Sequence, residues 1–233
     1  ALPVSFENAE TLIEQIALAA DGTALLLGAL RLENEKVLNS IVYMDQNGVA
    51  EVVYDKHHLV PFGEYLPFER WLDRIGLGFT SDLFGTGFAA GEGPKRINIA
   101  PLGAVVPLIC YEAVFPQDVS FASQEAAILL LLTNDAWFGG FAGPQQHLAQ
   151  AKMRSIEQGM PMIRVANTGI SAMIDPYGRS LKQLGLNTAG FIDAQVPQPA
   201  PATLYRRFEI WTVFALLFAI LMLSLICRRQ ISG

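Results

Sequence analysis

Short apolar stretches alternate with polar turns along residues 1–196 and predict a mixed α/β domain. Helical spacing predicts helices over 10–20, 68–75 and 145–157. Extended apolar runs predict strands at 24–29, 37–44, 49–54, 96–99, 103–109, 127–132 and 162–165, with another beginning at Ile170. The polar group 45–48 predicts a β-hairpin turn, and Asp175-Pro176-Tyr177-Gly178 predicts a further turn. No internal repeat interrupts this alternation, which is typical of one domain built on a mixed sheet.

The segment 210–227 has a different pattern, because it is apolar throughout and carries no charge. Its only hydroxyl residues are Thr212 and Ser224, so it lacks the polar stripe that a buried amphipathic helix keeps. At ~1.5 Å per residue its length comes close to the ~30 Å hydrocarbon thickness of a bilayer. We expect a transmembrane helix over 210–227, preceded by a proline-bearing linker at 197–209 and followed by a short tail at 228–233.

Composition limits the possible partners. Charged residues make up 16% of the chain, below the ~25% that is usual, and the segment 210–227 accounts for part of the difference. The net charge of −6 argues against a nucleic-acid partner, which would require a basic face. The two cysteines, Cys110 and Cys227, lie in a strand and at the end of the apolar segment, so no disulfide is expected.

Cys110 closes the apolar run 104–110 and is followed at once by Tyr111 and Glu112. A thiol at that point leaves the sheet as the chain turns, so its sulfur can face a cleft while the strand behind it stays rigid. A free cysteine is more often a small buried hydrophobic residue, and for Cys110 taken alone that interpretation is the better one. Three other segments favour a nucleophile.

Those segments are the loop 56–65, the strand and loop 127–140, and the polar start of the helix at 145–157. The first carries Lys56 and Glu64 in an apolar loop whose prolines and glycine prevent a continuous helix. The second carries Trp137 and Phe138 beside two glycines, an arrangement suited to a lid. All three place chemically active side chains next to predicted strand ends.

These motifs resemble the carbon-nitrogen hydrolase (nitrilase) superfamily and, within it, the bacterial apolipoprotein N-acyltransferases. The matching stretches are KHHLVPFGEY at 56–65, ICYE at 109–112 and NDAWFG at 134–139. They occur in the family's order, and the resemblance covers nearly the whole chain. It implies an α/β fold, a four-layer α-β-β-α nitrilase-like sandwich over 1–196, followed by one C-terminal transmembrane helix.

The resemblance implies acyl transfer through a thioester on Cys110 as the nucleophile. Lys56, together with backbone amides near Tyr111, would stabilise the oxyanion and the thiolate. Glu64 would be the second carboxylate, which orients Lys56 or the substrate amine, and the alternative for Glu64 is a solvated loop residue.

The same resemblance assigns four residues to substrate binding: Tyr111, Glu112, Trp137 and Phe138. Ordinary packing is nearly as good an interpretation for Tyr111. Glu112 could equally form a hydrogen bond within the cleft wall or a salt bridge with a neighbour.

The family's general base is a glutamate at the end of an early strand, just before a stretch that resembles Ala1-Leu2-Pro3. Glu7 and Glu10 lie in or near the first predicted helix and are poor substitutes. We therefore expect a fragment that lacks this glutamate, which would fall just before Ala1, and that lacks N-terminal membrane helices.

The implied acyl donor is a membrane phospholipid, and the implied acceptor is the α-amine of the diacylglyceryl-cysteine at the N-terminus of an apolipoprotein. The resemblance places the protein in the bacterial inner membrane, with the catalytic domain facing the periplasm and the tail 228–233 in the cytoplasm. No cofactor is expected.

Two other functions remain open: a membrane-tethered amidase or nitrilase that hydrolyses a small amide, and an inactive nitrilase-like binding module. The histidines His57, His58 and His147 are not expected to bind a metal. Adjacent histidines point apart on an extended chain, and no cysteine or carboxylate cluster in the sequence completes a set of ligands.

Overall fold

The computed structural model describes residues 2–5, 15–16, 18, 20, 22–67 and 87–231, with the backbone alone at 2–5 and 227–231. The first of two sheets has the order β1-β2-β3-β4, with β1 (Leu2–Ser5), β2 (Leu25–Glu33), β3 (Lys36–Met44) and β4 (Ala50–Asp55). The second has the order β10-β9-β8-β7-β6-β5, with β5 (Ile97–Ile99), β6 (Gly103–Ile109), β7 (Ile128–Asn134), β8 (Met162–Asn167), β9 (Ser171–Ile174) and β10 (Ser180–Leu184). The helices numbered here are α1 (Pro116–Ala122), α2 (Gly143–Gln158), α3 (Leu204–Phe208) and α4 (Ile210–Ile231). Two 3₁₀ turns, Cys110–Val114 and Asp135–Phe138, follow β6 and β7.

The centre of the second sheet is parallel, and this arrangement creates the site. Strands β6, β7 and β8 pair in parallel, with α1 and α2 in the connections between them. Parallel strands are covered on both faces, which explains why the run Ile128–Leu131 in β7 is buried without alternation. The carboxyl ends of the three strands meet at one edge, where Ile109 is paired with Leu132. The residues that follow these strands are therefore brought together.

Three layers are present among the described residues. The two sheets pack face to face through Ile41 and Tyr54 on one side and Val105 and Leu130 on the other. The opposite face of the second sheet packs against α1 and α2. A third cluster, which includes Met44, covers the outer face of the first sheet.

The strand predictions are confirmed for every described segment, with shifted ends. The hairpin turn is present, since β3 and β4 pair in antiparallel orientation and the Gly48 amide donates to the Asp45 carbonyl at 3.1 Å. The edge strand β10 was not predicted, because its residues are partly or fully exposed and its sequence lacks an apolar run. The predicted helix over 68–75 and most of the one over 10–20 lie outside the described residues.

The segment 197–209, predicted as a linker, is held against the domain. The Ala200 amide donates to the Gly159 carbonyl at 2.9 Å, and the Thr203 hydroxyl donates to the Glu157 carbonyl. Arg206 donates through Nη2 to the carbonyls of Ser123 (2.6 Å) and Ala126 (3.0 Å). The segment also contains the short helix α3. It therefore packs against the domain and is not a flexible linker.

The apolar segment forms the helix α4, and its side chains from Ile210 to Ile226 are mostly exposed. Among the residues that the structure describes, no helix is both long enough and apolar enough to cross a membrane, so the transmembrane prediction for 210–227 is not confirmed.

Candidate active site

Cys110 lies where β6 ends, at the first position of the 3₁₀ turn Cys110–Val114. Its backbone φ is +51°, a left-handed conformation that residues other than glycine adopt rarely. Strained backbone of this kind is concentrated at functional sites, where surrounding structure holds it in place. The turn leaves Cys110 half-buried, with its side chain on the wall of a cavity.

The cavity has a volume of about 450 Å³ and opens between the two sheets. Its walls are Leu26–Gly28 and Asn39–Ile41 from the first sheet, Leu132–Asn134 and Val165–Asn167 from the second, and the residues Glu64, Ile109, Cys110 and Trp137. A mainly apolar cleft at the carboxyl ends of parallel strands is a usual position for a ligand site. Glu64 is the only carboxylate among the described residues that line it.

Lys56 and Glu64 form a close ion pair, of which Glu64 lines this cavity while Lys56 is buried and is not among the lining residues. Lys56 follows β4 directly and is only 1% exposed. Its ammonium Nζ lies 2.7 Å from Oε1 and 2.6 Å from Oε2 of Glu64, and Glu64 also accepts from the Val60 amide at 2.8 Å. Because a buried ammonium needs a compensating charge, Glu64 fixes both the position and the charge of Lys56.

Glu112 is fully buried and connects the Lys56 loop to the end of β6. Its Oε2 accepts from the Ile109 amide at 2.7 Å and from the Tyr54 hydroxyl at 3.0 Å. Its Oε1 accepts from the amides of His57 (2.8 Å) and His58 (3.3 Å). The structure thus places Glu112 beneath the site, where it positions backbone on both sides and does not face the cavity.

The three predicted aromatic residues lie in different surroundings. Trp137 lines the cavity and is 78% exposed, which is the position of a lid residue. Phe138 packs edge-on against His147, with ring centroids 5.4 Å apart. Tyr111 packs edge-on against Phe115 at 5.0 Å, outside the lining of the cavity. Packing is therefore the better interpretation for Tyr111.

A buried polar network beneath Cys110 was missed at the sequence level. Asp135, 1% exposed, accepts from Arg164 Nη2 at 2.6 Å, from His147 Nδ1 at 2.9 Å and from the Thr133 hydroxyl at 3.1 Å. His147 Nε2 lies 3.2 Å from the Cys110 carbonyl oxygen. The sequence carried one signal of this network, because the charged residue Asp135 directly follows an apolar strand. Its partners, however, are distant in the sequence.

Electrostatics hold this network in its charged form. Burial acts to raise the pKa of Asp135, but the hydrogen bond from His147 and the positive charge of Arg164 outweigh it, so the pKa is lowered. Burial lowers the pKa of Arg164, and the carboxylate of Asp135 counteracts this effect.

The prediction that His57 and His58 point apart is wrong. Both rings reach one carboxylate oxygen of Asp118, at 3.3 Å from His57 Nε2 and 3.3 Å from His58 Nδ1. The reason is local backbone geometry, since β4 ends at Asp55 and the chain bends at His58 instead of continuing extended. His147, in contrast, contacts Asp135 and the Cys110 carbonyl.

Comparison with known proteins agrees with this geometry. Residues 6–203 match the carbon-nitrogen hydrolase family. The chain is 40% identical to apolipoprotein N-acyltransferases of Rhodopseudomonas palustris, over 98% of the chain, and of Agrobacterium fabrum, over 96% of it. It spans 44% of the length of each of these relatives.

Solved structures show the same fold. An amidase from Nesterenkonia sp. AN1 superposes with a TM-score of 0.56 at 22% identity, covering 78% of this chain and 65% of the amidase. A carbon-nitrogen hydrolase from Helicobacter pylori superposes with a TM-score of 0.58 at 17% identity, covering 77% of this chain and 64% of that protein. The two-sheet sandwich with a cysteine at the end of a central parallel strand is thus a nitrilase-like α/β fold, and the chain belongs to the carbon-nitrogen hydrolase family.

Proposed function

We propose that this chain carries the catalytic cysteine of an apolipoprotein N-acyltransferase. The observation that supports the proposal most directly is that Cys110 and Glu64, the ion-pair partner of Lys56, line one cavity. The 40% identity to curated apolipoprotein N-acyltransferases over nearly the whole chain supports the choice of reaction within the family.

In the first half of the reaction, the Cys110 sulfur attacks an ester carbonyl of a phospholipid. The thiol proton passes to a general base and from there to the leaving alkoxide, so a lysophospholipid departs and a thioester remains. Lys56 and the backbone amides of the turn at Tyr111 stabilise the negative charge that develops on the carbonyl oxygen. Glu64 keeps the Lys56 ammonium in place through both ion-pair contacts.

In the second half, the α-amine of the N-terminal diacylglyceryl-cysteine attacks the thioester. An amide bond forms, the carbon–sulfur bond breaks, and the amine proton passes through the base to the departing thiolate. We assign the base to the glutamate that the family resemblance implies. Because this chain spans 44% of the length of its relatives, every activity assay uses the natural protein that carries it.

Lipid substrates fit the exposed apolar surface near the cavity. Trp137 is 78% exposed and Phe141 is 90% exposed, both on the loop that follows β7. The helix α4 also exposes large apolar side chains, including Phe218 at 65% and Leu223 at 61%. We propose that these surfaces contact lipid and that the enzyme acts at the bacterial inner membrane, with this domain on the periplasmic side.

The test is intact-mass analysis of the natural protein after incubation with phospholipid, comparing wild type with Cys110→Ala and with Cys227→Ala. The expected result is a fatty-acyl adduct that hydroxylamine removes, present in wild type and Cys227→Ala and missing from Cys110→Ala. Adding a diacylglyceryl-cysteine peptide should discharge the adduct and acylate the peptide.

Other results would overturn the proposal in distinct ways. An adduct that persists in Cys110→Ala would remove Cys110 as the nucleophile. Hydrolysis of small amides without any lipid adduct would identify an amidase, and the absence of both activities in folded protein would identify a binding module.

A further inference from the structure

A cluster of three possible metal ligands lies next to Glu112, outside the lining of the cavity. It consists of His57, which follows Lys56, of His58, and of Asp118 in the first turn of α1. One ligand atom from each residue lies within 4.8 Å of the others. None of the three lines the cavity at Cys110, so the proposed acyl transfer does not use them.

The distances in the cluster suit a small divalent cation. The two measured contacts, from His57 Nε2 and from His58 Nδ1 to Asp118 Oδ2, are both 3.3 Å. Tetrahedral zinc with bonds of about 2.0–2.1 Å has neighbouring ligand atoms separated by about 3.3 Å. Both contacts are also within hydrogen-bonding distance, so the same three side chains are held next to one another before an ion binds.

The His57 ring is already oriented for ligation. Its Nδ1 lies 2.7 Å from Oε1 of the buried Glu112 and 2.9 Å from the hydroxyl oxygen of Tyr54, which itself donates to Glu112. Both oxygens can accept from Nδ1–H, and Nε2 faces Asp118. Metal-binding histidines almost always donate their second nitrogen to a carboxylate or carbonyl in this way, which sets the tautomer. His58 is fixed separately, because Phe115 stacks on its ring with centroids 3.3 Å apart and planes inclined by 15°.

The cluster is also accessible to an ion and to water. The side chains of His57, Asp118 and His58 are 10%, 22% and 36% exposed. Three protein ligands with one open side are typical of a zinc site that holds a water molecule in the fourth position. Two imidazoles and one carboxylate favour borderline cations such as Zn²⁺, Co²⁺ and Ni²⁺ over Mg²⁺ or Ca²⁺, which require more oxygen ligands.

We propose that His57, His58 and Asp118 form a binding site for a divalent cation of the zinc class. A bound ion would join the loop that carries Lys56 to α1. Through Glu112, which accepts from the Ile109 amide at 2.7 Å, it would also restrain the backbone that presents Cys110. The ion's role is therefore to hold two parts of the catalytic framework together, and it takes no part in bond formation.

The experiment is titration of the protein with Co²⁺, followed by its visible ligand-field absorption, and then displacement with Zn²⁺. All measurements use a background with both Cys110→Ala and Cys227→Ala, because a thiol could bind either ion and imitate the site. We expect one Co²⁺ per chain with four- or five-coordinate absorption, and a Tm that rises with Zn²⁺ concentration. His58→Asn and Asp118→Asn should each weaken binding about tenfold or more, while the exposed Asp193→Asn control should bind as its background does.

A measurement without variants guards against misfolding of the substituted proteins. Zn²⁺ should slow the modification of His58 by diethyl pyrocarbonate, measured by peptide mass, and Mg²⁺ at the same concentration should not. Absence of Co²⁺ absorption, unchanged affinity in folded His58→Asn and Asp118→Asn, or equal protection by Mg²⁺ would each overturn the proposal. The outcome is independent of the acyl-transfer assay, because it measures binding alone.

Discussion

Substitution of Asp135 tests whether the buried Asp135–Arg164 ion pair stabilises the structure beneath Cys110. Asp135→Asn keeps the size of the side chain but removes its charge and replaces one acceptor oxygen with a donor. Both Arg164 and His147 donate to Asp135, at 2.6 and 2.9 Å, so one of them would then face another donor. Arg164 is 1% exposed and would keep a positive charge without a counterion.

The size of the expected loss of stability follows from these contacts. Breaking a buried ion pair by removing one partner costs about 3–5 kcal/mol, because an uncompensated charge stays buried. In a chain of 233 residues, 1 kcal/mol corresponds to about 2–4 °C in Tm, so the predicted decrease is roughly 6–20 °C. The matched control is Glu92→Gln, since the Glu92 side chain is 91% exposed and its substitution should change the free energy of unfolding by less than about 0.5 kcal/mol.

The pH dependence of Tm tests whether the charge of Asp135 is the cause of this stabilisation. The pKa of Asp135 is lowered in the folded state from a reference value of 3.8, so its stabilisation is complete above that reference value. It is lost as the pH falls through the lower, folded pKa. Wild type and Asp135→Asn should therefore differ fully at pH 7 and pH 5 and converge below about pH 4.

The assay is thermal unfolding followed by circular dichroism at pH 7, 5, 4 and 3. A Tm of Asp135→Asn equal to that of Glu92→Gln at pH 7 would refute the argument that the ion pair is stabilising. A difference that stays constant down to pH 3 would show that the lost contribution is not the charge of Asp135.

Three further substitutions have distinct expected outcomes. Glu112→Gln should lower both Tm and thiol alkylation of Cys110. Gln keeps one acceptor oxygen, but its NH2 group must face the backbone N–H of Ile109 or of His57, which is also a donor. An unchanged alkylation rate would contradict the positioning role of Glu112. Gly169→Ala should lower Tm by several degrees, because the new Cβ would lie 2.2 Å from Asp135 Oδ2. The control Gly140→Ala should leave Tm unchanged, because its Cβ would have no neighbouring atom within 4 Å. Equal melting curves for the two variants would contradict this prediction. Trp137→Ala should leave the free energy of unfolding within about 0.5 kcal/mol of wild type, because the side chain is 78% exposed. The same substitution should reduce the acylation of the protein by phospholipid. Full acylation would argue against a lid role for Trp137.

The sequence pattern was sufficient for the strands and for the position of Cys110 at the end of one of them. The apolar run of β6 and the turn that follows are local features, so Cys110 could be placed at a strand end before any contact was known. The loop with Lys56 and Glu64 was recognised as a motif, and the structure brings these side chains to within 2.6 Å of each other. Their separation of eight positions is short enough for one loop to determine their contact.

The roles of Glu112 and of the adjacent histidines could not be predicted from the sequence pattern. The motif at 109–112 suggested that Glu112 binds substrate, but burial at 0% exposure and hydrogen bonds from Ile109, Tyr54, His57 and His58 make it a structural acceptor. The directions of His57 and His58 depend on a bend after β4, which apolar periodicity does not record.

By itself, the sequence determined the alternation of strands and helices, the β3–β4 hairpin and the end of β6 at Cys110, because each depends on neighbours along the chain. The tertiary structure alone decided the Asp135–Arg164 pair and the meeting of His57 with Asp118, which are 29 and 61 positions apart. These contacts require the parallel register of β7 and β8 and the packing of α1 beside the end of β4. The free energy of burying charges in compensated pairs is gained only after those elements have assembled, so no local pattern records it.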